Sequence, residues 1–196
     1  AGEVAANVHG ANRLAGNALI QAAVLGHIAG RNSAKNAKTK GRIEVDRHQI
    51  EEEISRVRGL FKKKRNSIRP FILKDSIVDT ITKYAGMRRN ENGLRKALNK
   101  IKEIKRGLPR IEVAEISRYN VELLDAIETF FMVEVAEAVI RSALSRKESR
   151  GHHRRSDYQE RSDKEWIKHT AIRKIDGEMK VSTTPVRITR IKPPEG

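Results

Sequence analysis

Residues 117–145 read SRYNVELLDAIETFFMVEVAEAVIRSALS. Val121, Leu124, Glu128, Phe131, Val135 and Val139 fall on one line at helical spacing, which predicts a long helix, roughly Ser117 to Ser145, with that line in the core. Upstream, Leu94, Ala97, Leu98, Ile101 and Ile104 form a second stripe, ended by Gly107 and Pro109. Ile72, Ile77, Ile81 and Tyr84 form a third, with Pro70 at an allowed early position and Gly86 as the stop. Ile50, Ile54, Val57 and Phe61 form a fourth, with acids at 51–53 in its first turn, where the helix dipole favours carboxylates. Lys62–Arg65 closes that helix as a solvated basic end. Several helices with short joints over 46–145 predict an antiparallel bundle.

Downstream, residues 146–165 are almost wholly polar. Trp166–Ile175 and Met179–Ile188 alternate well enough for strands, and Asp176-Gly177 between them is a strong two-residue hairpin signal. The fold class is therefore mainly α, with a small C-terminal β-hairpin.

The N-terminal end differs. Residues 1–34 are small, apolar and Gly/Asn-rich, and Asn17–Gly30 (NALIQAAVLGHIAG) reads as a short helix that is apolar nearly all round. Such a helix has to be buried, and this chain offers no evident layer to bury it. Residues 35–45 are polar and Lys-rich and are expected to be a linker. The expected organisation is a remnant domain over 1–34, the linker 35–45, the bundle 46–145, and a basic loop with hairpin tail over 146–196. The first residue is alanine rather than methionine, as in a chain that was cut, trimmed or cloned.

Composition narrows the function classes. The 196 residues lack cysteine, so disulfides, thiolate metal sites, iron–sulfur ligation and cysteine nucleophiles are excluded. No apolar run reaches the length of a membrane span. The 41 Lys+Arg outnumber the 25 Asp+Glu, and a net charge of +16 attracts anions: nucleic acid, acidic membrane, acidic protein or small carboxylates. A basic helical module that binds nucleic acid or protein is one reading. Against its nucleic-acid form stand the scarcity of stacking aromatics, 4% of residues, and the lack of a nucleic-acid fold motif.

His9-Gly10-Ala11-Asn12-Arg13, followed by Leu14-Ala15-Gly16-Asn17-Ala18-Leu19, is the strongest site candidate. Glycines permit close backbone approach, and the helix that begins near Asn17 presents open amides and a positive dipole end, which suits an anionic group. Arg13 sits in a nearly uncharged setting and needs a carboxylate, either a ligand's or an internal acid's. His152 and His153 are adjacent and have no third ligand nearby, so no metal site is expected. His27 reads as a core histidine and His48 as a surface one.

These residues carry a resemblance. AGEVAANVHGANRLAGNAL at 1–19 resembles the flavin- and substrate-binding stretch of the succinate dehydrogenase/fumarate reductase flavoprotein family, of which L-aspartate oxidase is a close relative. Residues 84–105, with an R-N-x-x-G-L turn at Arg89, Asn90, Gly93 and Leu94, are similar to that family's C-terminal helical segment. Arg146, Glu148, Ser149, Arg150, Gly151, His153, Arg155 and Asp157 fit its R-x-E-S-R-G-x-H-x-R-x-D signature. Trp166, His169-Thr170 and Pro185-Val186 fit its closing segment, which favours the succinate/fumarate branch over aspartate oxidase.

The resemblance implies an FAD-dependent oxidoreductase that interconverts succinate and fumarate by hydride transfer to and from the flavin. It implies that residues 1–34 are the end of an FAD-binding α/β domain. It assigns Arg13 to a substrate carboxylate, Glu3 to an FAD hydrogen bond, and the backbone of Ala18 and Leu19 to the flavin ring. The family often has Ser where Ala18 stands. The 146–157 residues receive a structural or interface role. No G-x-G-x-x-G is present, and the family's proton-donating arginine, histidyl-FAD attachment site and second substrate histidine have no counterpart here. No catalytic residue is therefore assigned in this chain, which alone should be inactive. The implied partners are the remainder of the flavoprotein, a dicarboxylate and an iron–sulfur electron-transfer subunit. The implied location is the cytoplasm, at the membrane face through partner subunits.

Overall fold

The structure, a computed structural model, describes residues 5, 9–11, 16–41, 44–116 and 118–190. The chain divides into two compact units, residues 1–52 and 53–196.

In the first unit, α1 spans Asn17–Lys40 in 24 residues. The helix predicted to end at Gly30 thus runs ten residues further, through most of the segment expected as a linker. Lys38 and Lys40 lie in its last turn, where cations complement the helix dipole, and Gly41 ends it with a φ of 66°. The expected burial is not seen within this unit: Leu19 is 78% exposed and Ile20 66%, and Val24 and Ile28 are also exposed. Of the residues of α1, Gln21 is the one that is buried. α2, Arg47–Arg58, straddles the boundary between the units. It buries no residue, and Ile50 and Ile54 of its predicted stripe face solvent.

The second unit is built on three helices that pack pairwise: α3 (Pro70–Tyr84), α4 (Glu91–Gly107) and α5 (Val121–Ser145). Between α3 and α4 lies a two-residue strand, β1 (Arg88–Arg89). Proline occupies the first turn of α3, where its missing N–H costs nothing. Asn90 caps α4 by accepting a hydrogen bond from the Gly93 N–H at 2.7 Å. A side-chain carbon added at Gly93 would sit 3.3 Å from that same Asn90 oxygen, which explains the turn motif locally. Asn120 caps α5 in the same manner through the Leu123 N–H at 3.0 Å.

The core is Leu73 and Ile77 from α3, Leu94, Ala97, Ile101 and Ile104 from α4, and Ala126, Val133, Ala136, Ile140 and Ala143 from α5, closed by Leu60, Leu108, Ile111 and Val113. The α4 stripe matches expectation. The α5 stripe does not. Val121, Leu124, Phe131 and Val135 are 59–66% exposed and Val139 is 39% exposed. The buried residues lie on the opposite side of the helix, about 140° away at 100° per residue. Small residues on that side let three helices approach closely, so the bulkier apolar line is left outward. Ile72 of the α3 stripe is likewise half exposed.

The second strand, β2 (Arg154–Arg155), pairs in parallel with β1, matching Arg88 to Arg154 and Arg89 to Arg155. A short helix, α6 (Asp163–Trp166), leads into the predicted hairpin, β3 (Lys168–Ile175) and β4 (Glu178–Pro185). Asp176 and Gly177 have φ values of 51° and 79°, the two positive values that a tight turn of this hand requires.

Candidate functional site

Of the sequence-assigned residues, Ala18 and Leu19 belong to the first unit and the 146–157 residues to the second. Glu3 and Arg13 lie outside the described residues. Ala18 and Leu19 form the first turn of α1, and Leu19 is exposed. Gly16 precedes them with a φ of 94°. Among the described residues, no side chain caps this helix, and its first turn holds no acid. The Leu19 N–H is taken by the Gly16 carbonyl at 3.1 Å; the start of α1 carries the positive end of the helix dipole, a setting suited to an electron-rich group. His9, which opens the HGANR string, reaches Gln21 of α1 through its Nε2 at 3.1 Å from Oε1.

The second group is brought together completely. Arg146, Glu148, Ser149, Arg150, His153, Arg155 and Asp157 form one hydrogen-bonded network at the end of α5. Glu148 is fully buried. It accepts from Arg146 Nη1, from Arg150 Nε at 2.8 Å and Nη2 at 2.9 Å, and from the Ser162 N–H at 2.9 Å. Burial alone would push its carboxyl up, but these donors hold it below the usual carboxylate range. Arg150 is shared with Asp163 at 2.6 Å.

Arg155 is 1% exposed. Its guanidinium makes a two-pronged pair with Asp157, at 2.7 and 2.8 Å, donates to the Ala143 carbonyl at 2.9 Å, and lies 4.9 Å from the Tyr158 ring centre. The Arg155 hydrogen bonds lower the Asp157 pKa to about 2. Asp157 also receives the Glu91 N–H at 2.8 Å, which ties the loop to the start of α4. The Ser149 hydroxyl accepts from the Arg155 N–H at 2.8 Å and donates to the Tyr158 carbonyl at 2.8 Å.

His153 bridges to β1. Its Nδ1 lies 3.2 Å from Arg89 Nη1, and its Nε2 lies 3.1 Å from the Arg146 carbonyl. An arginine can only donate and a carbonyl only accept, so the ring is neutral with its proton on Nε2. Burial, with Arg89, Arg155 and Arg146 nearby, holds its pKa below the usual 6.5. As pH falls through the window between 6.5 and that lower value, the unfolded chain takes up a proton that the folded one refuses, so stability is lost there. The fold is expected to melt at a lower temperature at about pH 5 than at about pH 7, and His153→Gln should flatten that dependence. An unchanged slope in the variant would assign the effect elsewhere.

The signature's spacing does not reveal what it grips. Arg146 donates to the carbonyls of Trp166 and Lys168 and stacks 5.1 Å from the Trp166 ring centre, so the loop sets the hairpin's starting point. Arg89 is visible in the sequence only as a member of a motif. Ser162, Asp163 and Tyr158 carry no periodic signal.

The geometry contains no nucleophile–base pair in this network: every carboxylate is held by arginine, and the half-buried His153 is locked between an arginine and a carbonyl. Among the described residues, no three His, Asp or Glu side chains group as a metal site. Among the same residues, no helix is long and apolar enough to cross a membrane. The network ties the loop to the start of α4 and to the start of the hairpin.

Residues 74–196 match the family model described as the fumarate reductase flavoprotein C-terminal region, and the chain belongs to that family. It is 35% identical to the fumarate reductase flavoprotein subunit of Haemophilus influenzae, over 98% of this chain and 33% of that protein. It is 34% identical to the succinate dehydrogenase flavoprotein subunit of Coxiella burnetii, over 87% of this chain and 29% of that one. Among solved structures, the fold resembles the Mycobacterium smegmatis Sdh1 complex in its apo form, with a TM-score of 0.89 and 28% identity over 98% of this chain and 33% of that chain. The chain thus spans about a third of the length of the relatives it matches.

Proposed function

We propose that this chain is the C-terminal portion of an FAD-dependent flavoprotein that interconverts succinate and fumarate, and that it is inactive by itself. The observation that carries the reading is the HGANRLAGNAL sequence, whose last three residues form the first turn of α1. When bound, FAD supplies the hydride-exchanging centre. The residues here bind and orient. The backbone of Ala18 and Leu19 would lie against the electron-rich edge of the flavin, Glu3 would accept a hydrogen bond from the cofactor, and Arg13 would grip a substrate carboxylate with its fork of donors. Only backbone is asked of position 18, so alanine serves there.

The remainder of the flavoprotein is the partner this reading requires. The outward apolar line of α5 supports it. That line continues into an open groove of about 730 Å³ lined by Phe61, Ile116, Tyr119, Val121 and Leu124. Apolar surface of that extent is normally covered, and relatives three times as long have the chain to cover it. We place the assembled protein at the cytoplasmic membrane face, held through other subunits, and exchanging electrons with an iron–sulfur subunit.

The test is turnover by the full-length polypeptide that contains these residues. It should retain flavin and oxidise succinate or reduce fumarate, while residues 1–196 alone do neither. A full-length protein without flavin, or one that turns over only L-aspartate, would overturn the reading.

A further inference from the structure

The β1–β2 ladder places four arginines two by two. The inner pair is engaged: Arg89 with the Gly86 carbonyl and His153, Arg155 with Asp157. The outer pair, Arg88 and Arg154, is in direct register across the ladder, so their Cα atoms stand about 5 Å apart. Both side chains are exposed, and neither makes a hydrogen bond or ion pair with another described residue. Like charges side by side on neighbouring strands repel.

The local acids do not relieve this. The segments that build the junction, residues 86–96 and 146–158, contain three carboxylates. Glu91 is taken by Arg95, Glu148 by Arg146 and Arg150, and Asp157 by Arg155. Lys147, also exposed, adds positive charge close enough to act on Glu91. Beside Arg88, Met87 is 74% exposed. An exposed methionine next to arginines without counter-ions matches the composition of protein interfaces, where Met and Arg are enriched.

We propose that Met87, Arg88 and Arg154 form a docking surface for an acidic segment of a partner protein. Two adjacent guanidinium forks suit carboxylates, which they can hold in paired hydrogen bonds. A protein is favoured over a nucleic-acid strand because the junction offers no free stacking ring. Tyr158 is occupied under Arg155, and Trp166 under Arg146. The proposal rests on the flavoprotein reading only in taking the partner to belong to the same assembly.

The test uses the full-length flavoprotein purified with the chains that accompany it at low salt. In R88E/R154E, the accompanying chain should be lost at lower NaCl than in wild type. Its affinity at low salt should fall on the order of tenfold, and the difference should shrink as salt rises. A photo-crosslinking residue at position 87 should label a peptide of another chain that is rich in Asp and Glu. Equal salt tolerance in the two proteins, or crosslinks confined to the flavoprotein itself, would overturn the proposal. So would loss of binding to a single-stranded oligonucleotide with the partner still retained. Flavin content and succinate turnover are read on the same samples, so a failure of the flavoprotein reading shows separately.

Discussion

Glu148→Ala is expected to destabilise the second unit by about 3 kcal/mol, because it strands two arginines beside a cavity in a covered loop. The wild-type carboxylate is fully buried and satisfied by three residues at once. Its removal leaves Arg150 with Asp163, and Arg146 with the carbonyls of Trp166 and Lys168. Those remaining partners place the cost toward the lower end of the range for a broken buried pair. Glu148→Gln keeps the shape and removes the charge, and should lose less. An apolar triple replacement of Arg146, Glu148 and Arg150 should recover part of the loss, since it removes the stranded charges as well. Urea denaturation of the variants is the measurement. A loss below about 1 kcal/mol for Glu148→Ala would mean that water reaches the site and screens the arginines.

The same cluster shows how unevenly the structure is legible in the sequence. Helices α3 and α4 and the hairpin are readable because each is amphipathic or bounded by a strong turn signal: Pro70 at a start, Gly107-Pro109 at an end, Asp176-Gly177 between strands. α5 is readable as a helix but not as a packing surface. It is apolar nearly all round, so periodicity offers two faces, and the larger residues draw the reading to the outer one. Tight three-helix packing selects the other, with Ala126, Thr129, Ala136 and Ala143, and with Glu137 buried but paired to Lys105 and Arg141. The β1–β2 ladder is out of reach. Two-residue strands of consecutive arginines have no hydrophobic period, and the pairing joins segments more than sixty residues apart. The resemblance does mark the 146–157 residues as belonging together. Their mutual contacts, and the inward placement of Arg155 against the outward placement of Arg154, follow only from the fold.

Arg13→Ala in the full-length protein is expected to lower kcat/KM for succinate by about 2–5 kcal/mol, roughly thirty-fold to several-thousand-fold, if its guanidinium holds a substrate carboxylate. Arg13→Lys should recover little, because an ammonium supplies charge without the planar fork. The sequence also allows an internal role, in which Arg13 pairs with an acid of the protein. The two roles differ in what else changes. A substrate-binding arginine can be lost with flavin content and melting temperature preserved, while binding of a non-reactive dicarboxylate weakens in parallel with turnover. A structural arginine takes the flavin and the fold with it, and any dicarboxylate effect is secondary. Flavin stoichiometry and dicarboxylate affinity, measured on the same preparation, therefore decide between them. Retained flavin with unaltered dicarboxylate affinity would remove Arg13 from the substrate site.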